Sequence, residues 1–175
     1  MAVTVEQAWA ALAPLTDPEI PVITLREMGI LRDVRQTGDG LEVVITPTYS
    51  GCPAMEQIAD DVRAVLQGLG TPARVVTQLA PAWTTDWMSE EAKAKLRAYG
   101  IAPPQGACAS ERSTAGDPAS VLRFVRGAAE PAPAVPCPHC GSSHTVETSR
   151  FGSTACKALY KCLDCQEPFD YFKPY

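Results

Sequence analysis

Residues 41–76 read LEVVITPTYSGCPAMEQIADDVRAVLQGLGTPARVV, and three patterns follow one another within them. Leu41, Val43 and Ile45 recur at every second position and share one face of a strand. Pro53 then stands where a helix accepts proline, in its first turn. Met55, Ile58, Val62, Val65, Leu66 and Leu69 recur at helical spacing behind it, and Gly68 and Gly70 supply the stop. ARVVTQLAP (73–81) begins as a second short strand. Strand, helix and strand in this order form a βαβ unit, with parallel strands and a right-handed crossover.

The flanks extend this unit into a domain. Upstream, ILRDVRQ (30–36) is joined to the first strand through TGDG (37–40), a β-hairpin pattern that makes the sheet mixed and three-stranded. Thr4 and Gln7 have the spacing of a capping box, so a helix opens the chain with Val5, Ala8, Trp9 and Leu12 on one face, and Pro14 and Pro18 stop it. The loop TDPEIPVITLREMG (16–29) is rich in proline and is expected to be extended. Downstream, Ser89 is a good N-cap for a helix ending near Tyr99. Glu90 and Glu91 lie at its positive end, Lys93, Lys95 and Arg97 lie toward the other, and Gly100 follows. The resulting order α-β-β-α-β-α describes a compact α+β domain over residues 1–104.

Composition narrows the function classes. At 175 residues with 46% hydrophobic and 20% charged side chains, the chain can bury a core. No stretch approaches the roughly 20 apolar residues of a membrane helix, and MAVTVEQAWAAL lacks the basic start of a signal peptide. No membrane association and a cytoplasmic location are therefore expected. A net charge of −5 argues against nonspecific nucleic-acid binding, which needs clustered Lys and Arg. Residues 105–136 are rich in Ala, Pro, Ser and Gly and read as a linker, with VLRFVR (121–126) as an extended segment and Cys108 as an incidental thiol.

Five of the seven cysteines fall in the last 39 residues. Cys137 and Cys140 form one CxxC pair and Cys162 and Cys165 another, 21 residues on. Each pair bends into a knuckle that aims two thiolates at one ion, and four thiolates in a tetrahedron suit structural zinc; iron is possible at the same four-cysteine site. VETSRF, ALYKC and FDYFK supply the strands of a zinc ribbon over residues 137–175. About 40 residues bury too little surface to fold unaided, so the metal is expected to supply most of the stability. Cys156 reads either as a buried structural thiol or as an alternative ligand, and His139 and His144 as ordinary loop residues.

Cys52 stands apart from that set. The strand-to-helix junction puts it at the N-cap of the second helix, where unsatisfied backbone N–H groups and the helix dipole favour a thiolate. A small buried cap residue is the other reading. Asp17 and Glu19, between prolines, either approach that turn or cap and orient their own loop. No Ser–His–Asp arrangement, phosphate loop or dinucleotide fingerprint occurs, and two histidines near the knuckles leave no Cys–His hydrolase.

DPEIPVITLREMGILRDV (17–34) followed by TPTYSGCPA (46–54) resembles the signature of the SufT-like family of iron–sulfur assembly factors, a likeness that runs through APAW (80–83) and LRAYGIAPP (96–104). With SRFGSTACKALYKC (149–162) and EPFDYFK (167–173) added, the two-part architecture is similar to the accessory proteins of phenylacetyl-CoA epoxidase, the ring-epoxidising system of aerobic phenylacetate degradation. The resemblance implies a maturation factor, not the oxygenase. It would assist insertion of iron or an iron–sulfur cluster into epoxidase components, above all the iron–sulfur reductase. Cys52 matches the family cysteine, Asp17 and Glu19 the acidic pair, Thr46 the upstream threonine, and Cys137, Cys140, Cys162 and Cys165 the ribbon ligands. One cysteine cannot complete a cluster that usually takes four, so a transient iron–sulfur cluster would be shared with a partner or across a homodimer. The competing expectation is a non-catalytic scaffold subunit of the oxygenase complex.

Overall fold

The computed structural model describes residues 3–105 and 134–175, so Cys108 and the VLRFVR segment lie outside the described residues. Two compact units divide the chain, 1–99 and 100–175.

In the first unit, α1 (Val5–Leu12) carries the expected capping box: Gln7 N–H donates to Thr4 Oγ1, and the Thr4 N–H donates to Gln7 Oε1. β1 (Leu31–Thr37) and β2 (Gly40–Ile45) form the antiparallel hairpin, with Val34 opposite Val43. α2 (Ala54–Gly68) carries the chain to β3 (Ala73–Thr77), which pairs in parallel with β2, Val43 opposite Val75. The sheet is thus mixed and three-stranded, with β2 in the middle. Central placement explains its burial. Leu41, Val43 and Ile45 are almost fully covered on one side and Val44 is buried on the other.

α2 buries Ile58, Val62 and Leu66 as its spacing predicts, together with the small residues Ala54 and Ala59, while Leu69 is exposed. Its end is a Schellman turn. Gly70 takes φ +73°, its N–H donates to the Gln67 carbonyl, and the Thr71 N–H reaches back to the Leu66 carbonyl. α3 (Glu90–Ala98) starts at Ser89, whose hydroxyl accepts the Ala92 N–H. Among the described residues no helix is long and apolar enough to cross a membrane.

The loop before β1 departs from the extended course expected of it. Beyond Pro21, out of reach of the proline constraint, residues 24–29 coil into a single turn, with Met28 N–H donating to the Thr24 carbonyl at 3.0 Å. A second capping box holds that turn. Glu27 N–H donates to Thr24 Oγ1, while Glu27 Oε2 accepts both the Thr24 N–H and its hydroxyl. Gly29 ends it at φ +76°, where a Cβ would come within 2.8 Å of the Trp87 Cβ. Trp83 is buried nearby, and its indole N–H donates to the Met28 carbonyl at 3.0 Å.

In the second unit, β5 (Thr145–Ser149), β6 (Lys157–Cys162) and β7 (Pro168–Phe172) are the three ribbon strands, antiparallel in turn. A fourth strand, β4 (Ile101–Ala102), pairs in parallel with Asp170 and Tyr171 of β7 and completes the order β4-β7-β6-β5. Ile101 and Ala102, read from sequence as the end of the first domain, therefore lie in the second sheet. Its core joins Ala102, Val135, Cys137, Ala158, Cys162, Phe169 and Tyr171. Two of the seven are knuckle cysteines, and Ile101 and Phe172 are buried as well.

Glu27 ties the coiled turn to α3, its Oε1 lying 2.6 Å from Lys95 Nζ. Burial alone would raise the Glu27 pKa, but the Lys95 ammonium and the two Thr24 donors outweigh it and hold the carboxyl below its ordinary 4.5. A depressed folded pKa contributes stability that is present above the unfolded value and lost as pH falls through the folded one. All three tryptophans, Trp9, Trp83 and Trp87, lie in the first unit, so their fluorescence reports on it. In urea melts read this way, Glu27→Gln is expected to cost about 1–2 kcal/mol at pH 7. The gap should close as pH drops below the ordinary carboxylate range. Coincident melts at pH 7 would show that the bridge has no weight.

Candidate functional site

The first candidate lies where β2 hands over to α2. The Thr46 N–H donates to the Ile30 carbonyl at 2.8 Å, which ties the start of this loop to the end of the acidic one. Thr46 is 1% exposed, and its hydroxyl has no hydrogen-bond partner among the described residues. Burying a hydroxyl without a partner costs about 1–3 kcal/mol, so this oxygen is a standing acceptor and donor at the base of the loop. A turn follows, closed by the Cys52 N–H donating to the Tyr49 carbonyl at 3.1 Å.

Cys52 is half-buried, and the structure corrects its assignment as the helix N-cap. Pro53 holds that position, at φ −69° and ψ −21°, and Cys52 stands one residue ahead of it. Pro53 already has helical angles, so the two assignments differ by a single residue at the start of the first turn. Pro53 has no side-chain acceptor, and the Cys52 carbonyl, 3.4 Å from the Met55 nitrogen, reaches back to this turn. The start of α2 therefore keeps a positive face beside the thiol, moderated by Glu56 in the first turn.

The two acids differ. Asp17 is 6% exposed, and its Oδ1 accepts the N–H groups of Glu19 at 2.8 Å and Ile20 at 3.0 Å. That arrangement orients its own loop, one of the two roles the sequence left open. Glu19 is half-buried on the same loop.

The second candidate is the cysteine cluster. Sγ atoms of Cys137, Cys140, Cys162 and Cys165 all lie within 4.8 Å of one another. The closest pairs cross between knuckles, Cys137 to Cys165 at 3.7 Å and Cys140 to Cys162 at 3.6 Å. Sulfurs at about 2.3 Å from a tetrahedral zinc are about 3.8 Å apart, so the donor set has the size of such a site. Each knuckle ends on a left-handed residue, Gly141 at φ +77° and Gln166 at φ +66°. Gly141 N–H donates to the Cys137 carbonyl, and the Cys162 N–H to the Glu167 carbonyl.

Backbone N–H groups shape the thiols unequally. Those of Cys165 and Asp164 help to bring Cys162 down to about 7. Cys165 is pushed up to about 12, because burial and the other three thiols outweigh the donor from Glu167. A cation among the four sulfurs would stabilise them as thiolates, the form that binds metal.

Sequence reasoning missed the rim of this cluster. Asp164, inside the second knuckle, accepts the Ser142 hydroxyl on Oδ2, and its Oδ1 lies 3.1 Å from His144 Nδ1. Ser142 and then His144 hold the Asp164 carboxyl below its usual range. His144, expected to be an ordinary loop residue, is thus one of its partners; the signal was a serine and a histidine just after one CxxC and an aspartate inside the other. Cys156 is buried but outside the four-sulfur group, 3.0 Å from the Thr154 hydroxyl.

Residues 5–77 match the family model of an iron-sulfur cluster assembly protein, and residues 123–173 that of the PaaD zinc beta ribbon domain. An Escherichia coli (strain K12) protein, named as the D component of 1,2-phenylacetyl-CoA epoxidase, is 48% identical over 171 residues, 97% of this chain and 92% of that one. An Fe-S protein maturation auxiliary factor of Porphyromonas gingivalis is 35% identical over 96 residues, 53% of this chain and 90% of that one. A crystal structure of a DUF59 domain from Bacillus anthracis is 28% identical over 53% of this chain and 90% of that one, with a TM-score of 0.48.

Cys162→Ser is expected to remove protection from amide exchange across β5, β6 and β7 while leaving the tryptophan-reported melt of the first unit within about 0.5 kcal/mol of the parent. Retained protection in those strands would show that the second unit does not depend on its four thiols.

Proposed function

The chain belongs to the PaaD family of phenylacetyl-CoA epoxidase components, and from that premise we propose that it is an accessory factor of a phenylacetyl-CoA epoxidase that assists insertion of iron or an iron–sulfur cluster into a partner component. The observation that carries this reading is Cys52 beside the start of α2, a helix whose cap offers no side-chain acceptor, with the buried hydroxyl of Thr46 on the same loop. The positive end of the helix favours the thiolate, the form that binds iron. Gly51, exposed next to Cys52, lets a client backbone approach closely.

In this reading the cluster is cargo. Cys52 supplies one thiolate, and the remaining ligands come from the client or from a second copy of the chain, because a cluster usually takes four. Asp17 keeps the acidic loop in shape, Glu19 lies on that loop, and Thr46 anchors the base of the Cys52 loop through its N–H to the Ile30 carbonyl. Cys137, Cys140, Cys162 and Cys165 hold a structural metal, with zinc favoured by the size and all-thiolate character of the set. The iron–sulfur reductase is the proposed client, and the protein works in the cytoplasm as an assembly factor, not as the catalytic oxygenase.

A second reading, a non-catalytic scaffold subunit, is favoured by apolar side chains that the ribbon leaves in water: Phe151 is 63% exposed and Val146 43%. Cys52→Ser in cells making the whole epoxidase separates the two. Delivery through Cys52 requires reductase cluster content and ring epoxidation to fall at least about tenfold, the scale on which removing a ligating or reactive group acts. Normal cluster content and activity, with the chain still co-purifying with the oxygenase, would replace delivery by the scaffold.

A further inference from the structure

The two knuckles belong to separate stretches of chain, 137–140 before β5 and 162–165 after β6. A metal between them leaves when one knuckle swings away from the other, so whatever bridges their rims sets how readily the site opens. Asp164 is placed to do this. One carboxylate oxygen accepts the Ser142 hydroxyl and the other faces His144 Nδ1 at 3.1 Å. Ser142 is itself held, since its Oγ accepts the His144 N–H at 3.0 Å and its carbonyl accepts the Cys137 N–H at 2.8 Å. The Leu163 N–H adds a backbone tie to the His144 carbonyl at 2.9 Å. A continuous set of hydrogen bonds thus runs from the first knuckle to the carboxylate of the second.

The charge makes the placement informative. Four thiolates around a divalent ion carry a net negative charge, and an aspartate inside a knuckle adds to it. Electrostatics alone therefore disfavours a carboxylate at residue 164, whereas hydrogen bonding favours a side chain with two acceptor oxygens on one rigid plane. Asparagine has only one such oxygen.

We propose that Asp164, with Ser142 and His144, forms a clasp across the two knuckles that slows release of the metal held by Cys137, Cys140, Cys162 and Cys165. This rests on the proposal that the four thiols hold a metal. The clasp residues touch the ligand loops and not the ion, so they are positioning residues. Their effect belongs in the rate of metal loss and in the exchange of knuckle amides more than in stoichiometry.

The test uses the full chain loaded with Zn²⁺ and challenged with a large excess of a chromophoric chelator. Asp164→Asn and Ser142→Ala should both bind one zinc and release it faster than the parent, by about 2- to 10-fold for Asp164→Asn, the scale of losing one or two exposed hydrogen bonds. Amide exchange at 137–144 and 162–166 should rise in parallel. The two variants are conservative, so the test does not depend on whether Asp164→Ala folds. Slower release from Asp164→Asn would mean that the charge dominates and would overturn the clasp, as would parental rates in both variants. A parent chain that binds no zinc would overturn the metal reading itself, and the clasp with it.

Discussion

Four thiols gathered within 4.8 Å are the constraint on which the second unit depends. Among the described residues one valine, two alanines, a phenylalanine and a tyrosine join Cys137 and Cys162 in a core cluster, and Ile101 and Phe172 are buried as well. The strands are short, and β5 is exposed along most of its length. A cation between the knuckles would tie the two CxxC turns together through four bonds. The left-handed Gly141 and Gln166, each one residue past its CxxC, turn the chain away so that both thiols of a pair face inward.

The first unit is organised on different terms. β2 is covered on both sides and paired on both edges, so the loop that leaves it starts from a rigid point. Thr46 and Thr48 continue the burial beyond the last strand residue. Cys52, seven residues beyond Ile45, is therefore held by a stiff strand behind and a helix of 15 residues ahead. The hydrogen bond from Thr46 to Ile30 couples this support to the acidic loop, whose conformation Asp17 sets through its own backbone.

Most of this architecture was legible because it is local or periodic. Alternation marked β2, helical spacing marked α2, and paired CxxC motifs marked the knuckles. What escaped was either too short for a period or closed only in three dimensions. Ile101 and Ala102 have no pattern of their own, and their partners Asp170 and Tyr171 lie at the far end of the chain. The turn at 24–29 did carry a Thr-x-x-Glu signature, but the prolines before it drew the reading toward extended backbone. Cys52 and Pro53 differ by one position as helix caps, a difference finer than sequence pattern resolves. The pairing of Ser142 and His144 with Asp164 exists only once the knuckles face each other.

The short pairing of β4 with β7 changes what the Ala- and Pro-rich stretch connects. The chain enters the second sheet at Ile101 before that stretch begins and is back in the same core at Val135 after it ends. In topological terms the stretch is an insertion within one unit, and the units themselves are joined at the Tyr99–Gly100 peptide. The stretch therefore joins two parts of one unit and not one unit to the other. All four ligand cysteines follow it in the chain, so the metal site is assembled from the C-terminal side of that stretch alone.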